Sequence, residues 1–300
     1  MGISHAIGTG GRDLSDPIGG LTTFVALDAL EADSQTKVIV VISKPPGAKT
    51  LARLVERFKT CTKPVIGCFL GISAEAQKAN AIFQRASTID QAVRIAIKSA
   101  GGVSASDEWA FTAEEREWLS REKAAWSSGQ KYVRGLFAGG TFCYQSQQIF
   151  RDAHLVVHSN APFDPKYKLQ DSNRSFEHTL VDMGADEYTL GKPHPMIDGT
   201  LRKQRILAEA RDPHMAILLL DFVLGYNASM DPVGELLDAI GEAKQIAKKR
   251  GGALTVVASV CGTDGDPQDL NVQRKLLKES GAFVFHSNAR AAAFCCALLK

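Results

Sequence analysis

The chain has 300 residues and a mass of 32.3 kDa, enough for one large domain or two medium ones at roughly 150 residues each. Apolar residues make up 45% and charged residues 23%, which excludes a disordered chain, a collagen and a coiled coil. Lys+Arg 35 against Asp+Glu 33 leaves a net charge of +2 without a basic block, so no charge pattern speaks for a nucleic-acid partner.

The N-terminus, Met1-Gly-Ile-Ser-His-Ala6, has no apolar signal-peptide core. Ala6 also stands where a myristoylation signal needs Ser or Thr. The longest apolar run, residues 291–299, is about half of the roughly 20 residues that span a membrane. A soluble cytoplasmic protein is expected.

Gly8-Thr-Gly-Gly-Arg-Asp13 is the first unusual stretch. Its glycines let a backbone approach a ligand closely, and Arg12 could grip an oxyanion with two parallel hydrogen bonds. Gly10, Gly11, Arg12 and Asp13 are therefore candidate binding residues. The alternative is a plain glycine turn with a surface Arg–Asp pair.

Residues 38–42 (VIVVI) form a short continuous apolar run, as suits a parallel strand buried on both faces. An amphipathic helix follows over 48–59, then a strand over 65–69 and an alanine-rich helix over 88–100 with Thr88 as its cap. Residues 101–130 read as a join. They open on Gly-Gly, carry Trp109, Trp118 and Trp126, and contain Thr112-Ala-Glu-Glu115, a capping box before a charged helix.

A strand is expected over 131–137, followed by Ala138-Gly-Gly-Thr141 and a helix over 142–150. Free amides at such a strand-to-helix turn favour a phosphate or carboxylate, so Gly139, Gly140 and Thr141 are candidate anion ligands. In Gly191-Lys-Pro-His-Pro-Met-Ile-Asp198 two prolines restrict the backbone around His194. Lys192, His194 and Asp198 could supply a cation, an acid–base group and its orienter; a structural loop histidine is the plain alternative. Residues 216–220 are a second apolar run, closed by Asp221 at the strand edge where ligands bind in open α/β sheets. A helix over 232–249, a strand over 254–260 and a helix over 288–299 capped by Asn288 complete the pattern.

The two halves repeat one another. Residues 33–47 lie on 212–226 without a gap, each followed by helix, strand and a final alanine-rich helix. This predicts a duplicated three-layer α/β unit with parallel sheets. The first lobe (1–100) lacks the opening strand and helix of the second (131–300), so the chain reads as a fragment of something longer. The six cysteines form no Cys-x-x-Cys and are expected as buried, reduced thiols; Cys261 in Cys261-Gly-Thr-Asp264 has no local base. No metal-ligand spacing occurs among the histidines. Asp13 spoils a Gly-x-Gly-x-x-Gly reading of the first loop, and Pro193 a Walker reading of the later one.

Taken together, Ser4-His-Ala-Ile-Gly-Thr-Gly-Gly-Arg-Asp-Leu-Ser-Asp16, Ile42-Ser-Lys-Pro-Pro46, Arg134-Gly-Leu-Phe-Ala-Gly-Gly-Thr141, Gly191-Lys-Pro-His-Pro-Met-Ile-Asp198, Leu220-Asp-Phe-Val-Leu-Gly-Tyr226 and Ser259-Val-Cys-Gly-Thr263 resemble the FdrA family. That family is similar to succinyl-CoA synthetases and other ADP-forming acyl-CoA ligases. The resemblance implies two flavodoxin-like CoA-ligase domains, preceded in full-length members by a CoA-binding domain. It implies that the helix at Gly139-Gly140-Thr141 matches one of two phosphate-facing helices, the other lying before residue 1. The ligases' phosphohistidine loop corresponds to residues 71–81, which contain no histidine, and no ATP-grasp portion is present. The family's link to oxamate carbamoyl transfer in allantoin breakdown implies a transferase that uses carbamoyl or acyl phosphate. An ADP-forming acyl-CoA ligase subunit and a non-catalytic subunit are the alternatives, and homo- or hetero-oligomeric partners are implied.

Overall fold

In the computed structural model, which describes residues 2–72, 82–103 and 110–300, the chain divides into two units, Met1–Asp107 and Glu108–Lys300. The second unit is built on five strands: β4 (Tyr132–Phe137), β5 (Thr179–Asp182), β6 (Met215–Val223), β7 (Thr255–Cys261) and β8 (Phe283–Phe285). They pair in the order β5-β4-β6-β7-β8, all parallel. The helices are α4 (Ala113–Ala125), α5 (Gly140–Asp152), α6 (Asp186–Thr189), α7 (Thr200–Glu209), α8 (Gly234–Lys249), α9 (Leu270–Glu279) and α10 (Asn288–Leu299).

Strand β6 explains its own apolar run. Leu218 and Leu220 face a cluster with Ile206 of α7 and Leu236 and Ile240 of α8. Ile217 and Leu219 face the opposite cluster, with Cys143 and Phe150 of α5 and Phe294 and Leu298 of α10. Both faces are covered, so alternation disappears. The sheet is flavodoxin-like, and its strand order reverses between β4 and β6. In open α/β sheets such a switch point, outside the carboxyl ends of the strands, is where ligands bind.

Helix α4 belongs to the second unit. Thr112 and Glu115 form the expected capping box, and Glu115 pairs with Arg290 at 2.5 Å. Trp118 packs on Phe283 with ring centroids 5.0 Å apart, and Trp126 Nε1 donates to Thr255 Oγ1 at 2.9 Å. Trp109 lies outside the described residues.

The first unit contains α1 (Leu21–Ala32), β1 (Ile39–Ser43), α2 (Ala48–Lys59), β2 (Val65–Phe69), β3 (Phe83–Arg85) and α3 (Ile89–Ser99). Its parallel sheet runs β1-β2-β3, around a core of Leu27, Ile39, Leu54, Phe58, Phe69 and Phe83. Among the described residues this sheet has three strands against the second unit's five, so it is two strands shorter. The expectation that residues 38–42 are buried on both faces fails. Val40 is 38% and Ile42 44% exposed, because no helix equivalent to α5 covers that face among the described residues.

Two smaller expectations shift as well. Thr88 caps α3 through the Gln91 amide, but α10 is capped by Ser287, which accepts from the Arg290 amide. Asn288 is buried instead and bonds Gln145 and Ser146 of α5. All six cysteines are free, and Cys261 is exposed rather than buried. No helix among the described residues is long and apolar enough to cross a membrane.

Candidate functional site at the sheet switch point

The turn leaving β4 is held by a carboxylate of the protein itself. Asp221, fully buried on β6, accepts the Ala138 amide on Oδ1 at 2.7 Å and the Gly139 amide on Oδ2 at 2.8 Å. Burial pushes this carboxyl up; Arg202 and the two amides oppose that shift. Arg202, on α7 and almost fully buried, donates through Nη2 to the Leu136 carbonyl at 2.9 Å, the Asp221 carbonyl at 2.8 Å and Asp221 Oδ1 at 3.3 Å.

Asp221 thus belongs to the frame of the turn. Of the candidate anion ligands, Gly139 has its amide engaged. Gly140 and Thr141 are the first two residues of α5, where amides have no acceptor within the helix. The Asp221 carboxylate lies behind this end of the helix.

The loop of residues 191–199 lies over this turn. A Cβ placed on Gly139 would lie 3.6 Å from Met196 Cε, and one on Gly184 only 2.5 Å from His194 Nε2 and 2.9 Å from the Ala138 carbonyl. The imidazole therefore rests on a bare Cα at the end of β5, beside the exit of β4. Met196 donates its amide to His194 Nδ1 at 3.2 Å. That bond makes Nδ1 the acceptor and leaves the proton of the neutral ring on Nε2.

Lys192, His194 and Asp198 do not form a triad. Asp198 accepts the Thr200 amide at 2.7 Å at the start of α7. The Thr200 hydroxyl and amide hold its carboxyl below the usual range. Lys192 is exposed. Among the described residues no hydrogen bond or ion pair joins these three side chains, although the loop turns at His194, whose carbonyl takes the Ile197 and Asp198 amides at 2.8 and 3.1 Å.

Residues 12–20 of the first unit, which begin at the end of its glycine loop, are the repeat counterpart of residues 191–199. Extending the alignment of residues 33–47 on 212–226 backwards puts Gly20, before α1, on Gly199, before α7. Asp13 is buried and accepts the Thr22 and Thr23 amides at 3.0 and 2.9 Å and the Thr23 hydroxyl at 2.7 Å. Burial alone would raise its pKa; the Thr23 hydroxyl and the two amides outweigh it and hold the carboxyl low. Asp13 is thereby spent on the head of α1. Gly10 (φ +86°) and Gly11 are exposed, a Cβ on either would meet nothing within 4 Å beyond its chain neighbours, and Arg12 is exposed. This stretch and the 191–199 loop lie in different units.

Arg202, Gly184 and Gly199 were missed by sequence reasoning. Gly184, two residues beyond the strand ending at Asp182, was the most readable of them. Residues 73–81, most of the loop compared with the phosphohistidine loop, lie outside the described residues. The cavity lined by Ala138, Pro195, Met196, Arg202 and Ser229 holds about 10 Å³, room for one water. Among the described residues no cluster of His, Cys, Asp or Glu is placed to hold a metal.

The profile of the CoA-ligase family matches residues 136–298, which include the turn, the loop and the carboxyl ends of β4 and β6. The chain belongs to the CoA-ligase family. Its sequence is 40% identical over 287 residues to the uncharacterised protein YahF of Escherichia coli K12, covering 96% of this chain and 55% of that protein. Among solved structures this CoA-ligase chain is similar to the dinucleotide forming acetyl-coenzyme A synthetase 1 of Ca. Korarchaeum cryptofilum. That match has 17% identity and a TM-score of 0.41, over 91% of this chain and 55% of the other. It is also similar to PH0766 of Pyrococcus horikoshii OT3, at 14% identity and a TM-score of 0.40, over 94% and 55% of the two chains. The chain spans about half the length of these relatives.

Proposed function

We propose that the second unit handles a small carbamoyl or acyl phosphate, as part of an FdrA-type acyl or carbamoyl transferase. One observation carries this reading: the His194 ring rests on Gly184 beside the same turn at which α5 begins. A phosphoryl group on the Gly140 and Thr141 amides would bring the carbonyl of its mixed anhydride towards the His194 Nε2–H. Exposed Lys192 adds a cation at the rim. In the transfer, the acceptor nitrogen (that of oxamate, in the allantoin-breakdown version) attacks the carbamoyl carbon. The C–O bond to phosphate breaks, and the proton lost by the nitrogen leaves on the phosphate. His194 stabilises the oxygen that gains charge, and no nucleotide is consumed.

Family membership favours a second reading, a subunit of an ADP-forming acyl-CoA ligase. That chemistry would need a phosphohistidine, and His5 is the only histidine before His154 in the sequence. Partner subunits, of the same or another chain, belong to either reading.

Calorimetric titration with carbamoyl phosphate tests the site. Gly140→Val should abolish binding by blocking approach to the amides, and unchanged affinity would reject it. In a coupled phosphate-release assay His194→Ala should lose about 100-fold or more in rate, the usual cost of a positioned donor, while His194→Gln retains part. Turnover that requires coenzyme A would favour the ligase reading instead.

A further inference from the structure

Glu235 stands in the first turn of α8, and its two oxygens serve two loops. Oε2 accepts the Gly199 amide at 2.7 Å, and Oε1 accepts the Ser229 hydroxyl. Ser229 in turn donates its amide to the Met196 carbonyl at 2.7 Å. Met196 donates its own amide to His194 Nδ1 at 3.2 Å. Residues 194–199 form one tight turn, with the Ile197 and Asp198 amides on the His194 carbonyl. Glu235 therefore grips that turn at its end directly and at its middle through Ser229.

The fit at Gly199 shows how close this grip is. A Cβ there would lie 2.7 Å from Glu235 Oε2 and 3.1 Å from Leu236 Cδ2, so only glycine lets the carboxylate reach the amide. The Ser229 loop is itself pinned from behind. Gln268 accepts the Gly225 amide at 3.0 Å and donates to the Gly225 and Ser229 carbonyls at 2.7 and 3.0 Å.

We propose that Glu235 is a positioning residue for His194: by holding Gly199 and Ser229 it keeps the Met196 amide on Nδ1 and presents Nε2–H as the ring's free donor to a substrate oxyanion. This role rests on the reading of His194 given above. It adds that the donor is set by a carboxylate that never touches substrate. Loss of Glu235 frees the middle of the turn, lets the Met196 amide leave the ring, and returns Nδ1 to solvent as a nucleophile.

The test is acylation of histidines by diethyl pyrocarbonate at pH 7 on the whole chain, followed peptide by peptide by mass spectrometry. Glu235→Ala should raise the His194 rate about fivefold, the worth of one ordinary hydrogen bond, with the other histidines unchanged. Glu235→Gln still accepts from Gly199 and can donate to the Ser229 hydroxyl, so it should restore the parental rate. Ser229→Ala, which cuts one leg without touching α8, should raise the rate about threefold and carries the test should Glu235→Ala not fold. A parental His194 rate in folded Glu235→Ala or Ser229→Ala, or a Gln variant that behaves like the Ala variant, overturns the proposal. The reading of His194 fails separately: His194→Ala with undiminished turnover would remove it and leave the acylation result standing.

Discussion

The Asp221 carboxylate accepts the Gly139 amide at 2.8 Å, so the residue that looked like a ligand contact is the floor of the turn. Its charge is matched by Arg202, which is equally deep. Removing one member of a buried pair leaves the other uncompensated, which costs about 3–5 kcal/mol. Asp221→Ala and Arg202→Met should each lose that much in urea unfolding. The double variant Arg202→Met with Asp221→Ala should recover at least about 1–2 kcal/mol of the summed loss, roughly the coupling expected for contacting residues. Strict additivity would mean that the two charges do not act as a pair.

A pH dependence follows from His178, whose Nδ1 accepts the Val133 amide at 3.3 Å. Burial, with Arg134 adding to it, pushes this imidazole down from 6.5 to about 4. Below pH 6.5 the unfolded chain takes up a proton here and the folded chain does not. Stability should therefore be insensitive to this group above pH 6.5, fall as pH drops towards 4, and level off below. His178→Gln should flatten the curve between pH 4 and 6.5, as read from urea midpoints at several pH values. An unchanged slope would show that the ring is already protonated when folded.

In the first unit, two neighbouring strand positions should behave in opposite ways. Ile39 is buried in the core, whereas Val40 is partly exposed. Ile39→Ala should cost about 2–5 kcal/mol by leaving a cavity. Val40→Thr should stay within about 0.5 kcal/mol, as surface changes do. Equal losses in thermal or urea unfolding would mean that the Val40 face is covered in solution.

Much of the fold was legible because local rules and burial agree there. The helix over 48–59 and the strand over 65–69 appear with those same limits, since a strong 3.6-residue period gives way to a short apolar run. β6 was legible because an unbroken apolar run is what a doubly covered strand needs. The same pattern misled at residues 38–42: composition records a strand's partners in the family of folds and not the cover it has among these residues. At the site, the glycine turn and the proline-flanked histidine were readable from their own residues. Arg202 and Glu235 were not, because each acts on a backbone group brought close only by the crossover connection. Asp198 looked like an orienter for His194 but answers a nearer demand, the open amide at the head of α7.

Gly184 offers the sharpest mutational test of the His194 position. A methyl group there would sit 2.5 Å from His194 Nε2 and 2.9 Å from the Ala138 carbonyl. The ring could swing away, but the carbonyl belongs to the β4 exit and can move only with the turn that begins α5. Gly184→Ala should therefore cost about 1–3 kcal/mol in stability, as overpacking does. It should also weaken carbamoyl phosphate binding, because ring and turn are displaced together. Gly241→Ala is the matching control: it lies on α8, where an added Cβ would meet nothing within 4 Å outside its own helix backbone. There the change should stabilise by about 0.5–1 kcal/mol through helix propensity and leave binding untouched. The comparison is read from paired urea titrations and calorimetry. If Gly184→Ala keeps parental affinity while losing stability, the His194 contact serves packing at the end of β5, and the anion is bound without it.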